Sequence, residues 1–198
     1  VLNINDIKIP GIHNVENYMA AIAAVDGLVS DDVIVDVAKN FGGVPHRIEL
    51  VRELDGVKYY NSSIDSSPNR TINALNVFKQ KVIMIAGGKD KGIPYDEIGM
   101  PIVEHVKKLI LISKLPVTEE DKKLHPSAEQ IKQAVIKTGR ANELEMFDVH
   151  TYEDAVRKAH EMAHKGDIVI LSPASTSFDM FRNFEERGNL FKKLVNEL

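Results

Sequence analysis

The sequence predicts an α/β protein built on a doubly wound, mostly parallel sheet with helices on both faces. Two observations carry that prediction. Four segments, "KVIMIAGG", "KKLILIS", "LEMFDV" and "DIVILSP", are short apolar runs, and a strand that is apolar throughout is buried on both faces, as in parallel sheets. Between and after them, segments near 68–79, 126–138, 151–164 and 185–197 carry apolar residues at helical spacing. Strands that alternate with helices wind into a parallel sheet.

The elements follow in order. The chain opens on "VLNINDIKIPG", read as the end of a strand, and continues into "PGIHNVENYMAAIAAVDGLV", a helix for which Asn14 is the expected cap. "HRIELVREL" and "VKYYN" read as a hairpin, because the Asp55-Gly56 pair between them suits a tight two-residue turn. Ser67-Pro68 marks the next helix start, serine as cap and proline in the first turn. "KLPVTEEDKKLHPS" and "KTGRANE" read as connecting loops, and there is no internal repeat or low-complexity tract.

Composition narrows the function. With 198 residues, of which 43% are apolar and 12 are glycine, the chain can bury a full core. Its 25 basic and 29 acidic residues give a net charge of −4, which provides no electrostatic footprint for nucleic acid or an anionic membrane. The absence of cysteine excludes disulfides, thiolate metal sites and cysteine nucleophiles, and fits a reducing, cytoplasmic setting. No apolar run is long enough to span a bilayer. The chain opens on valine, within what reads as a strand, and reads as a piece of something longer.

Three strand-to-helix junctions are unusually polar. "AGGKDKG" follows the apolar "VIMI": its glycines allow a tight turn, and Lys89 and Lys91 offer ammonium groups to an anion, although a solvated glycine turn fits the spacing equally well. "YYNSSIDSSPNRT" places five polar residues among the six from Asn61 to Ser66, more than capping by Ser67 requires. "LSPASTSFDMFRNFEERG" sets Ser172, Ser175, Thr176 and Ser177 at the end of a buried strand; for its "SPASTSFD" part, a serine-capped helix over a packed Phe178 is the less favoured alternative. If the three strands are parallel neighbours, their loops meet at one edge of the sheet, where open α/β sheets bind ligands. The hydroxyls would donate to a carboxylate and Lys91 would supply the opposite charge.

Other signals are weaker. Asn14 and Asn17 have the donor and acceptor that an adenine edge needs, yet asparagine at a helix start commonly caps. Arg47 suits a phosphate or ribose, as does many an exposed arginine. "HEMAH", His160 to His164, matches the zinc-hydrolase pattern H-E-x-x-H, but in its helix the pair lies off the apolar stripe and faces water.

Taken in order, "PGIHNVENYMAAIAA", "FGGVPHRIELV", "YYNSSIDSSPNRT", "AGGKDKG" and "LSPASTSFDMFRNFEERGNLFKKLV" resemble the Mur ligases over nearly the whole chain, and the last resembles their D-glutamate-adding branch. The resemblance implies a Rossmann-like C-terminal, D-glutamate-binding domain over residues 44–198, preceded over residues 1–43 by the end of a central ATP-binding domain. It implies a monomeric, cytoplasmic, ATP-dependent ligase that joins D-glutamate to UDP-N-acetylmuramoyl-L-alanine through an acyl phosphate in peptidoglycan precursor synthesis. Mg2+ would be held upstream, so this chain would carry no metal ligand and no complete catalytic set. By match of motif, Asn14 and Asn17 fall where the family contacts adenine and Arg47 where it reaches the nucleotide. Ser66, Lys91, Ser177 and Phe178 fall where D-glutamate is held, with Phe184 beside them. Ser62 stands where the family commonly has an aspartate near the nucleotide; either Asp65 substitutes for it, its loop folding back toward Arg47, or the nucleotide contact is altered and Asp65 merely caps a turn. A stand-alone α/β module for a small anion and an H-E-x-x-H zinc hydrolase are the alternatives.

Overall fold

The computed structural model describes residues 2–9, 11–115 and 126–198. The loop read from "KLPVTEEDKKLHPS" lies mostly outside them. The chain divides into two compact units, Val1–Val44 and Pro45–Leu198.

The first unit holds α1 (Ile12–Ala24) and α2 (Asp31–Asn40). Among its described residues no strand forms, and Ile4–Asp6 make a single 3-10 turn; a lone strand has no edge to pair with. Gly11, not Asn14, caps α1. α2 is absent from the helices expected from sequence, because its "VIV" favours a strand locally. It is helical with acidic Asp31 and Asp32 in its first turn and Lys39 in its last, the order that suits the helix dipole. An apolar groove of about 260 Å³ runs between the helices, lined by Tyr18, Ile22, Val25 and Val33 among others. Met19 is 67% exposed and Leu28 81%, a large apolar exposure for so short a segment.

The second unit is the predicted α/β layer structure. Its strands are β1 (Glu49–Leu54), β2 (Val57–Asn61), β3 (Val82–Gly87), β4 (Val106–Ile112), β5 (Glu145–Val149) and β6 (Ile168–Leu171). They lie in the order β1-β2-β6-β3-β4-β5, all parallel but for the antiparallel β1-β2 hairpin. The helices are α3 (Pro68–Leu75), α4 (Gly99–His105), α5 (Ser127–Lys137), α6 (Tyr152–Met162) and α7 (Phe184–Asn196). Side chains alternate along each strand: Met84, Leu109, Leu111 and Ile170 pack with α3, α4 and α5, whereas Ile83, Ile85, Ile110, Val169 and Leu171 pack with α6 and α7. Each such isoleucine or leucine contributes about 1.5–3 kcal/mol of burial.

Two local readings change. The hairpin begins at Glu49, not at His46, because His46 and Ile48 have φ of 65° and 48°, which no strand allows. Ser67 precedes α3 without a side-chain capping bond, and Pro68 alone supplies the start signal.

Candidate functional site

Parallel pairing of β2 with β6 and of β6 with β3 brings the ends of these three strands side by side. The three polar junctions therefore share one edge of the sheet, as the sequence required if they were to form one site. The ladder runs on into the loops: Ser62 N donates to Leu171 O (2.8 Å), Ser172 N to Ile85 O (3.0 Å) and Gly87 N to Pro173 O (3.0 Å). Beyond it, Lys89 and Thr176 exchange two backbone hydrogen bonds of 3.0 and 3.2 Å. Gly88 makes this crossing possible, since its φ is 140° and a Cβ there would stand 2.4 Å from Thr176 O.

Beneath the loops lies Arg187, fully buried in the first half of α7. Its Nε donates to Ser63 Oγ (2.9 Å), Nη2 to Ser63 O (2.8 Å) and Nη1 to Ser175 O (3.1 Å). The Ser63 hydroxyl in turn donates to Phe184 O (2.8 Å). One guanidinium thus ties the loop after β2 to the loop after β6. Among the described residues it forms no ion pair, and Asp179 acts on it only at longer range. Burial raises the Asp179 carboxyl above its ordinary value, with Arg187 opposing. Sequence reasoning did not single out Arg187, although it occupies the stripe of Phe191 and Val195 that packs α7 on the sheet, and a charge in such a stripe is itself a signal.

The predicted anion-holding residues are partly gathered. Lys91 Nζ, exposed and without a carboxylate partner among the described residues, lies 3.4 Å from Ser66 Oγ, which joins the loops after β3 and β2. Ser177 is buried at 3% exposure, its carbonyl accepting from Met180 N and Phe181 N while its hydroxyl remains uncommitted among the described residues. Phe178 is 63% exposed on the same loop. The packed-phenylalanine alternative therefore fails, and the cap of α7 is Asn183, whose side chain accepts from Glu186 N. Phe184 packs edge-on against His46, with ring centroids 5.9 Å apart.

Asp65 is the other buried charge. Ser172 Oγ lies 2.8 Å from Asp65 Oδ2 and 2.9 Å from Thr71 Oγ1, so with its one proton it donates to the carboxylate and accepts from threonine. Burial pushes the Asp65 carboxyl up to about 6, against the hydrogen bonds of Ser62 and Ser172 and the more distant charges of Arg70 and Arg47. No ion pair joins Asp65 to Arg47 among the described residues, and Arg47 is exposed. A carboxyl whose folded-state value lies above its unfolded 3.8 stabilises the fold at acid pH, and that contribution is lost as pH rises from about 4 to about 6. Asp65→Asn is therefore expected to stabilise the chain at pH 7.5 by on the order of 3 kcal/mol, and the gain should vanish near pH 4. Urea unfolding of both proteins across pH checks this; an equal gain at every pH would contradict it.

Asn14 and Asn17 sit in the first turns of α1 in the first unit, Asn17 Nδ2 donating to Asn14 Oδ1 at 3.3 Å. The H-E-x-x-H pair does not share one exposed helical face. α6 ends at Met162, His164 lies beyond it, and His160 is half-buried with Nδ1 2.9 Å from the Tyr59 hydroxyl. Among the described residues no group of three or more His, Asp or Glu could hold a metal.

The family model described as "Mur ligase, glutamate ligase domain" matches residues 46–175. A UDP-N-acetylmuramoylalanine–D-glutamate ligase of Ruminiclostridium cellulolyticum is 57% identical over 192 residues, covering 97% of this chain and 40% of that protein. Its namesake from Acetivibrio thermocellus is 54% identical over 98% of this chain and 40% of its own length. The chain thus spans about two fifths of these curated relatives. Among solved structures, UDP-N-acetylmuramate-alanine ligase of Thermotoga maritima superposes with a TM-score of 0.65 at 15% identity, over 96% of this chain and 39% of that one. Folylpolyglutamate synthase of Mycobacterium tuberculosis also reaches 0.65, at 13% identity, over 92% and 41%. These two share the fold.

Proposed function

The chain belongs to the Mur ligase family, and on that premise we propose that it supplies the D-glutamate site and part of the nucleotide site of an ATP-dependent ligase that extends UDP-N-acetylmuramoyl-L-alanine. The observation that carries the reading is the meeting of the loops after β2, β3 and β6 on one sheet edge, tied from below by a buried guanidinium. Such a site attracts a small dianion. Lys91 offers a full charge, Ser66 and Ser177 offer hydroxyls, and Phe178 walls the opening.

In the proposed reaction the substrate's alanyl carboxylate is activated by ATP as an acyl phosphate. The D-glutamate amine attacks the acyl carbon, the C–N bond forms as the bond to phosphate oxygen breaks, and the amine loses a proton. The contribution of this chain is positioning: fixing the D-glutamate carboxylates aims the amine and converts an encounter into an intramolecular step. Arg47, exposed and cationic, suits the phosphate or ribose of ATP, and the Asn14 and Asn17 amides suit an adenine edge. The first unit, through Gly43, is the end of the ATP-binding domain in this reading, which accounts for its exposed Met19 and Leu28. Phosphoryl transfer and Mg2+ binding belong to the remainder of a longer, cytoplasmic, monomeric enzyme.

Phosphate release from ATP, dependent on both D-glutamate and UDP-N-acetylmuramoyl-L-alanine, tests the assignment. The full-length ligase is expected to turn over and the purified 198-residue chain to be inactive. Robust turnover by the chain alone would sink the division of labour.

A further inference from the structure

The segment Pro45-His46-Arg47-Ile48 is strained on both sides of its arginine. His46 and Ile48 have φ of 65° and 48°, and for β-branched Ile48 the left-handed region is a genuine outlier. Strain of this kind persists only where the surroundings over-determine it. They do so here on both flanks. His46 N donates to Glu49 Oε2 (2.8 Å), and His46 O accepts from Ile64 N (3.2 Å). The His46 ring meets Phe184 edge-on, and α7 approaches so closely that a Cβ on Gly188 would stand 2.2 Å from His46 Nδ1.

The Asn61 amide fixes the histidine tautomer. Its Oδ1 accepts from Ser63 N (3.0 Å), so Nδ2 is the group facing His46 Nδ1 at 2.9 Å, and Nδ1 must accept. Burial lowers the His46 value and keeps the ring neutral, with Glu49 and Glu185 opposing and Lys192 assisting. Glu49 is itself held by Lys192 at 2.5 Å. On the other flank Ile48 N donates to Ser62 Oγ (3.2 Å). Arg47, between these anchors, is exposed and makes no hydrogen bond or ion pair of its own among the described residues.

We infer that Ser62 and His46 are positioning residues for Arg47, fixing the strained backbone that presents the guanidinium to an anionic group of the nucleotide. The inference rests on the reading of Arg47 as a nucleotide contact and adds how that contact is held. It also revises the role expected of the 61–65 turn. Asp65 does not pair with the guanidinium, and its hydrogen-bonding neighbours are the hydroxyls of Ser172 and Ser62. The hydroxyl of Ser62, at the position where an aspartate was expected, instead takes up the Ile48 N–H. An aspartate there would add a charge beside the already buried Asp65.

A double-mutant cycle in the full-length ligase separates this role from general stability. Ser62→Ala is expected to raise the ATP KM about fivefold, the size of one lost neutral hydrogen bond, with the D-glutamate KM moving less than about twofold. Ser62→Thr, which keeps the hydroxyl, should restore the parent value. In an Arg47→Ala background Ser62→Ala should change nothing further, because the group it positions is gone. The same increase in both backgrounds, or none in the parent, would overturn the proposal. A parent-like ATP KM for Arg47→Ala alone would overturn the nucleotide contact itself, an outcome read from a different variant.

Discussion

Lys91→Ala in the full-length ligase is expected to raise the KM for D-glutamate about ten- to a hundredfold while the ATP KM moves less than about twofold. The expectation follows from where the side chain sits. It projects from the Gly88–Gly92 loop, whose course is fixed by the paired backbone bonds of Lys89 with Thr176 and by Ser127, which donates to Gly88 O through both its amide (3.1 Å) and its hydroxyl (2.9 Å). Asp90, the nearest acid in sequence, is occupied by Gln130 Nε2 (2.8 Å) and Gly92 N (2.9 Å). The ammonium keeps its charge for a ligand, with only the long contact to Ser66 Oγ to give up. A charge-assisted bond to a carboxylate is worth roughly twice a neutral one, which sets the size of the loss. A raised ATP KM with D-glutamate unaffected would reassign the lysine to the nucleotide.

Arg187→Met is expected to lower stability by about 3–5 kcal/mol, the range for breaking a buried charged network. Methionine fills much of the same volume, so the loss is not chiefly a cavity. It arises because Ser63 O, Ser175 O and Ser63 Oγ lose their donors in a place water does not reach. Arg187→Lys retains the charge but not the fork, and one ammonium cannot serve acceptors on two loops in the same geometry. It should fall between methionine and the parent. Urea midpoints rank the three; a methionine variant within about 0.5 kcal/mol of the parent, the level of a neutral surface change, would show that the loops are held by something else.

Much of this architecture was legible in the sequence because its signals are local. "VIMIAG", "LILI" and "IVIL" are apolar throughout and announce strands buried on both faces, and the three polar junctions stand out against them. What was not legible depends on tertiary contact. α4, seven residues containing Gly99 and Pro101, has little helical propensity and forms because Ile102 and Val103 are needed under the sheet. "HRIELV" alternates like a strand over its first residues, yet its start is bent into the left-handed region by bonds to Asn61, Ser62 and Ile64, which lie more than a dozen residues away. Asp65 could stand in beside Arg47 for the aspartate missing at Ser62 only if the loop from Asn61 to Ser67 folds back on itself. The turn does fold back, Asp65 N donating to Ser62 O (2.9 Å), but the hydroxyls of Ser172 and Ser62 claim the carboxylate.

The loops after β2, β3 and β6 are proposed to hold the carboxylates of the incoming amino acid. This placement is tested most directly by a structure of the full-length ligase with D-glutamate and a non-hydrolysable ATP analogue bound. A D-glutamate carboxylate is expected within about 3.2 Å of Lys91 Nζ and of the Ser177 or Ser66 hydroxyl. D-glutamate bound away from all three of these residues, with their loops unchanged, would contradict it.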